Sequence, residues 1–421
     1  SARTDADLHR EGPGSVTVNA DVSQPSRQGS SAEVLRVFSK LGVTSFGGPI
    51  AHLGYFRDEL VQRRRWLNDT EYGDLVALSQ FLPGPASSQV GFGLGLFRAG
   101  PMGAIAAFLA FTLPSAALMV AFAYGAPLFE GAVGAGILTG LKVVAVAIVA
   151  QAVWGMARSL TPDATRASIA VVAAASALLL TGSAGQIGAI VVGALAGLFL
   201  CRGSATAASA MVRFPVTRLA GIISLILFIV LLVGLPVLAA TTQSGSLALF
   251  DTFYRAGAFV FGGGHVVLPL LQSGLVDTGW ITSDQFLAGY GAAQAVPGPL
   301  FTFAAYLGTL STVGPGGVAG AAIALAAVFL PGFLLIAGVL PFWNDFRSQP
   351  WAQALMRGAN AAVVGILAAA LYDPVFTTAI TGTGPFVLAL TCFVLLTAWR
   401  MPAWAVVLVG AGGGILVSLV S

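Results

Sequence analysis

The chain has 421 residues, of which 57% are hydrophobic and only 9% charged, with a formal net charge of +3. A soluble domain carries roughly a quarter of its residues as charges, so this composition excludes one and indicates a polytopic membrane protein. The small positive excess sits in a few arginine-bearing loops, where it reports orientation in a bilayer and makes no case for nucleic acid.

Residues 1–31, rich in Ser, Gly, Pro, Asp and Arg, read as a disordered polar tail. Four short elements follow, at 34–47, 49–64, 68–81 and 85–97, each too short or too polar to cross a bilayer comfortably alone, and they read as two helical hairpins. Apolar runs at 102–124, 131–157, 167–181 and 187–201 then approach the roughly 20 residues that a crossing needs. A further run, 219–240, lies in a linker at 203–245 and has no partner elsewhere. The short pattern returns at 247–261, 264–276, 282–295 and 299–313, and apolar runs follow at 315–340, 351–372, 385–399 and 402–420. The two cysteines, Cys201 and Cys392, lie inside separate apolar runs, which favours buried thiols over a disulfide or a metal pair.

The recurrence is sharpest at particular residues. Phe46-Gly47-Gly48-Pro49, Trp66 and Gln80-Phe81-Leu82-Pro83-Gly84-Pro85 are matched by Phe261-Gly262-Gly263-Gly264, Trp280 and Gln294-Ala295-Val296-Pro297-Gly298-Pro299. Both tryptophans and both Pro-Gly-Pro turns are offset by 214 positions (280 − 66 and 297 − 83). Leu113-Pro114 pairs with Leu330-Pro331, and Gly140-x-Lys142 with Gly358-x-Asn360. The expected organisation is therefore a first repeat at 32–202 and a second at 246–421. The single unpaired crossing between them turns the second repeat upside down. Charge supports that inversion: Arg63-Arg64-Arg65 precedes Trp66, whereas Asp277-Thr278-Gly279 precedes Trp280. With the amino terminus in the cytoplasm, loop arginines gather inside and the acids Glu130, Asp277, Asp284 and Asp373 fall outside. The fold class is all-α, multi-pass, with two homologous halves in inverted topology and short broken helices at Gly/Pro motifs, the sequence pattern of a secondary transporter.

Signatures of catalysis are scarce. The sequence has no HExxH, and neither Lys40 nor Lys142 follows a P-loop glycine, so neither a metalloprotease nor an ATP-driven pump is indicated. No cofactor or metal is expected. Proline removes an amide donor and disfavours helix in the residue before it, so Pro49, Pro83, Pro85, Pro297 and Pro299, with Gly264 standing where Pro49 has its counterpart, should break helices. Helices that restart there present free amides and a partial positive charge to an anion. Gly47, Gly48, Gly84, Gly262, Gly263 and Gly298 would let backbone approach it closely. Lys40 and Arg255 occupy matched positions, and Lys142 sits in mid-span, where a cation is costly unless it faces a cavity or a partner. Gln80, Gln294, Gln89 and Asn360 supply uncharged donors, with interhelical bonding as the plainer role. His52 and His265 are not mates and read as packed, hydrogen-bonded histidines. Asp251 and Asp74 are the acids nearest to mid-membrane, both expected at interfaces. Gly136-x-x-x-Gly140 and Gly193-x-x-x-Gly197 permit close packing and suggest a homodimer.

The run from Phe46 through Gly47, Gly48, Pro49, Ile50, Ala51, His52, Leu53, Gly54 and Tyr55 to Phe56 resembles the chromate ion transporter family in its long two-domain bacterial form. So do Leu78-Ser79-Gln80-Phe81-Leu82-Pro83-Gly84-Pro85, Phe261-Gly262-Gly263-Gly264-His265 and the second Pro-Gly-Pro stretch. The resemblance runs from residue 34 to the carboxyl end. It implies an inner-membrane protein that exports chromate and confers resistance, with sulfate as a structural mimic and competitor. Transport of sulfate or another tetrahedral oxyanion, or an anion channel, would share the architecture.

Overall fold

The computed structural model describes residues 29–46, 48–126, 131–180, 183–201, 214–261, 264–346 and 349–420. The expected polar tail falls outside them except at its end. There Gly29 donates to the Arg98 carbonyl and the Ser30 hydroxyl caps the first helix.

In the first half, α1 (Ser31–Thr44) leads to α2 (Gly48–Phe56), which continues as a π-helical segment, Arg57–Arg63. α3 (Asp69–Phe81) opens on a capping box between Asn68 and Glu71. α4 (Ala86–Gly125) is not one rod: Ala99 and Gly100 leave helical geometry, and a Cβ on Gly95 would meet the Gly103 carbonyl. Residues eight apart touch, so α4 folds back into two antiparallel limbs that diverge from the turn before Pro101. α5 (Gly131–Leu160), α6 (Ala164–Leu179, capped by Asp163) and α7 (Ser183–Leu200) complete this half.

α8 (Arg218–Thr242) is the unpaired linker helix. It packs on α9 (Gly245–Ala258) and later on α13, and turns Ile222, Ile226, Ile229 and Val233 outward, as a lipid-facing helix does. A 3-10 turn, Gly264–Val266, then α10 (Val267–Leu275) and α11 (Ser283–Ala293, with a Thr282/Gln285 capping box) repeat the first pattern. A second 3-10 turn, Leu300–Thr302, precedes α12 (Phe303–Leu310), and α13 (Gly317–Val339) folds back on it. Gly308 meets the Gly320 carbonyl there, as Gly95 meets Gly103. The chain ends with α14 (Trp343–Phe346), α15 (Pro350–Ala370) with a π-helical extension at Leu371–Phe376, α16 (Thr377–Ala379), α17 (Thr383–Thr397) and α18 (Ala403–Val420).

The helices fall where the apolar runs and Gly/Pro breaks place them, and the protein is an all-α membrane protein. Among the described residues, five helices are long and apolar enough to cross a membrane: α4, α5, α8, α13 and α15. Four of the nine expected spans are shorter. α6, α7, α17 and α18 hold 16, 18, 15 and 18 residues, cut off by the turns between them.

The halves are interleaved rather than stacked. α5 of the first packs against α17 and α18 of the second, and α15 of the second against α6 and α7 of the first. Small residues make this possible: Gly136 and Gly140 lie on Gly410, Ala411 and Gly414, while Gly193 and Gly197 lie on Ala354 and Gly358. The two glycine stripes that suggested a homodimer are thus occupied inside one chain. Cys201 and Cys392 are buried and unpaired.

Candidate functional site

Each Pro-Gly-Pro turn stops one helix and starts another. Leu82 closes α3 and Pro85 heads α4; Pro299 heads the turn that becomes α12, four residues after Ala295 bonds back to Ala292. Gly84 (φ +127°) and Gly298 (φ +90°) occupy the left-handed region that side chains disfavour. Their amides do not serve their own half. Gly84 donates to the Val260 carbonyl at 2.7 Å, and Gly298 donates to the Ser45 carbonyl at 2.8 Å. Ser45 and Val260 are matched, each immediately preceding its Phe-Gly-Gly, so the two bonds are reciprocal across the halves.

Packing repeats the exchange. A Cβ on Gly84 would lie 3.0 Å from the Gly332 Cα, and one on Gly298 would lie 2.7 Å from the Ser115 hydroxyl. Gly332 and Ser115 each follow a matched Leu-Pro. Gln89, fully buried on the first limb of α4, donates to the carbonyls of Pro83 and Gly332, both at 3.0 Å, and so ties its own turn to α13. α2 starts at Gly48 (φ +80°) with Pro49 in its first turn, and the second half restarts at Gly264. Gly47, Gly262 and Gly263 lie outside the described residues. The backbone breaks expected from the sequence are therefore brought together, at a crossing between the halves.

The expected cations are placed elsewhere, each against an acid. Lys40 bonds Glu59 at 3.1 Å, and the same carboxylate takes Arg64 at 2.9 Å and Arg63 at 3.4 Å. Burial pushes the Glu59 carboxyl up, but hydrogen bonds from Arg64 and Lys40 outweigh it and hold it below the ordinary glutamate range. Arg255 bonds Asp251 one turn back on α9 at 2.6 Å, beside a cavity of about 220 Å³ lined by Ser273, Gly274, Thr278 and Trp280. Asp251 is buried. Arg98 bonds Glu33 and lies over Trp66.

Lys142 is the exception in position. The carbonyl of its neighbour Leu141 touches Gly291 on α11, one turn before the second break. Its ammonium reaches the other way, to Asp284 at 2.8 Å, across a cavity of about 380 Å³ also lined by Thr139, Gln285, Ala288 and Tyr306. This pair joins the halves. Of the glutamines, Gln80 is exposed; Gln294 is half-buried with no partner for its amide nitrogen, and Asn360 likewise for its amide oxygen, among the described residues.

Residues that sequence reasoning passed over lie at the crossing. His52 is fully buried, with Nδ1 3.4 Å from the Ser87 hydroxyl and its ring edge-on to Phe111. Ser45, Ser88 and Thr112 are buried with hydroxyls that have no partner among the described residues. His265, by contrast, is paired with the Tyr290 hydroxyl at 2.6 Å.

Long apolar helices surrounding a centre where unwound, glycine-bearing turns of two matched halves bond to each other define a multi-pass membrane transport protein. Its family follows from comparison: the description "Chromate transporter" matches residues 32–201 and 247–415, and the chain belongs to the chromate transporter family. It is 31% identical over 352 residues to a probable chromate transport protein of Synechococcus elongatus, covering 80% of this chain and 83% of that one. It is 30% identical over 349 residues to the chromate transport protein of Pseudomonas aeruginosa (80% and 79%), and 27% identical over 348 residues to that of Cupriavidus metallidurans (80% and 81%). No solved structure matches the chain.

Proposed function

We propose that this protein exports chromate across the bacterial inner membrane and thereby confers chromate resistance, by alternating access at the crossing between two halves of inverted topology. The amino terminus lies in the cytoplasm. The observation that supports this reading is the reciprocal pair of bonds from Gly84 to Val260 and from Gly298 to Ser45, which joins the four helix breaks in two pairs, each across the halves. Backbone freed from helices is tolerated at membrane depth where it lines a path, and helix starts there favour an anion. We assign Lys142, whose ammonium bonds Asp284 across the cavity between α5 and α11, the role of meeting the anion along that path. An inside-negative potential favours outward movement of a dianion by about 2.3 kcal/mol per charge per 100 mV, so the potential can drive export without a coupling ion.

The test is chromate uptake into inverted vesicles carrying the chain, with an imposed inside-positive potential and sulfate as competitor. Potential-dependent accumulation suppressed by sulfate is expected. Accumulation in right-side-out vesicles only would reverse the direction, and flux without counterflow would make the protein a channel. No accumulation with inserted protein would remove chromate as the substrate.

A further inference from the structure

At the crossing, the two halves present the same backbone with different side chains. Aligned on their motifs, Ser45 matches Val260, His52 matches Val267, Ser87 and Ser88 match Phe301 and Thr302, Thr112 matches Phe329, and Ser115 matches Gly332. All twelve positions are buried. On the second side, the one hydroxyl, that of Thr302, is bonded to the Pro299 carbonyl at 2.8 Å. On the first side, four polar atoms have no hydrogen-bond partner among the described residues: Ser45 Oγ, His52 Nε2, Ser88 Oγ and Thr112 Oγ1. Buried polar groups are nearly always bonded, and a cluster that is not calls for a ligand.

Contacts join Ser45 and His52, and tie Ser88 and Thr112 to them through their chain neighbours Ser87 and Phe111. The Ser45 carbonyl holds the Gly298 amide, and Gly298 lies 3.1 Å (as a Cβ) from the Phe111 carbonyl. The His52 ring packs on Phe111, has the Ser45 backbone beside it, and meets Ser87 in the first turn of α4. The first amides of α4 have no helical acceptor, and Ser87 in that first turn meets His52.

We infer that Ser45, His52, Ser88 and Thr112, with the first amides of α4, form a binding site for a fully ionised tetrahedral oxyanion, built from neutral donors and confined to the first half's side of the crossing. The assignment rests on the transport reading above and names its site. In the tautomer in which the Ser87 hydroxyl donates to Nδ1 of His52, Nε2 carries the proton and is a donor for the ligand. A dianion held by dipoles is bound without an ion pair to break on release, as transport requires. The residues brought together include no carboxylate to take the proton of hydrogen phosphate, so chromate and sulfate bind and phosphate does not.

The experiment is equilibrium binding of radiolabelled chromate to the full chain purified in detergent, with unlabelled sulfate and phosphate as competitors. A hydrogen bond to a charged ligand is lost in each of Ser45→Ala, Ser88→Ala, Thr112→Val and His52→Leu, so each weakens binding roughly tenfold or more. His52→Gln, which keeps a donor near the Nε2 position, restores binding toward wild type, and this rescue separates lost ligand contact from lost folding. Thr302→Val, the mirror of the Ser88 change, binds as wild type. Sulfate competes and phosphate does not. The site is overturned if the first-half variants bind as wild type, if Thr302→Val weakens binding as much as Ser88→Ala, or if phosphate competes as well as sulfate. A wild-type chain that binds no chromate would overturn the transport reading itself.

Discussion

The two Pro-Gly-Pro turns are alike in backbone and unlike in surroundings. Both glycines have positive φ, both give their amide to the opposite half, and both pack on the residue after a Leu-Pro. Around Gly298 stand Ser45, Ser115 and Phe111, with His52 packed on Phe111; around Gly84 stand Val260, Gly332 and Gln89, whose amide is already bonded to Pro83 and Gly332. The difference shows which constraints travel together. Interlocking of the halves demands the same turn twice, because each turn is bonded to the other half, whereas one ligand needs only one set of donors. The other set is then free to become apolar packing.

The ion pairs diverge in the same manner. Lys40 and Arg255 are mates, but Glu59 comes to Lys40 from the segment after α2, while Asp251 comes to Arg255 from its own helix. The segment matching Glu59 in the second half is Ser273-Gly274, and both residues line the cavity beside Arg255. A neutralised cation is kept in both halves, with the acid moved and the vacated volume left open.

The largest effect should come from the shared part of this comparison. Gly84→Ala and Gly298→Ala each force a side chain into positive φ, at roughly 1–3 kcal/mol, and into a neighbour. Each turn has a side chain as its first obstacle and backbone behind it, but moving the Gln89 amide from Gly84 breaks two hydrogen bonds, whereas moving the Ser115 hydroxyl from Gly298 breaks one. Both variants should lose most chromate uptake in vesicles, and Gly84→Ala should also melt lower than Gly298→Ala. Equal melting temperatures would mean that the two turns are not distinguished by what they pack against. Gly298→Ala combined with Ser115→Gly, which copies the first turn's partner, should then recover little.

A smaller effect separates the ion pairs. Glu59→Gln removes the negative charge that holds Lys40, Arg63 and Arg64, exposed cations on a buried carboxylate, and should cost about 1–2 kcal/mol at neutral pH. Because the folded carboxyl lies below its ordinary range, its contribution is complete above the unfolded glutamate value and is lost as pH falls through the folded one. Thermal melts of wild type and Glu59→Gln should therefore differ at neutral pH and converge in acid. A difference that persists in acid would show that Glu59 acts through packing.

Much of the fold was legible because its signals are local. Proline, glycine and runs of apolar residues punctuate the helices within a few positions, and the break at Gly100-Pro101 is one such case. The crossing was legible only as a list of breaks, since no local pattern says that Gly84 meets Val260. The weight placed on Lys40, Arg255 and Lys142 followed from the cost of an unpaired charge in a membrane, yet each has an acid. For Arg255 the i, i+4 spacing from Asp251 announced it; for Lys40 and Lys142 the acid comes from another element. Ser45, Ser88 and Thr112 carried no signal alone, because a hydroxyl in an apolar helix usually bonds its own backbone. The available signal was comparative: a polar residue in one half opposite an apolar mate in the other.

The smallest effect on folding, and the finest probe of the asymmetry, concerns Lys142 and its mate Asn360. Asp284 is 68% exposed, so its bond to Lys142 is solvent-screened and worth at most about 1 kcal/mol. Lys142→Ala should leave the melting temperature nearly unchanged while lowering chromate uptake, and Asn360→Ala should do less to both. The exchange Lys142→Asp with Asp284→Lys restores the bond between the halves and moves the cation from α5 to α11. If the lysine serves only to hold α5 to α11, the exchanged protein transports as wild type. If its ammonium also meets the anion, uptake stays low although the bond is whole, because a carboxylate then stands where the dianion must pass.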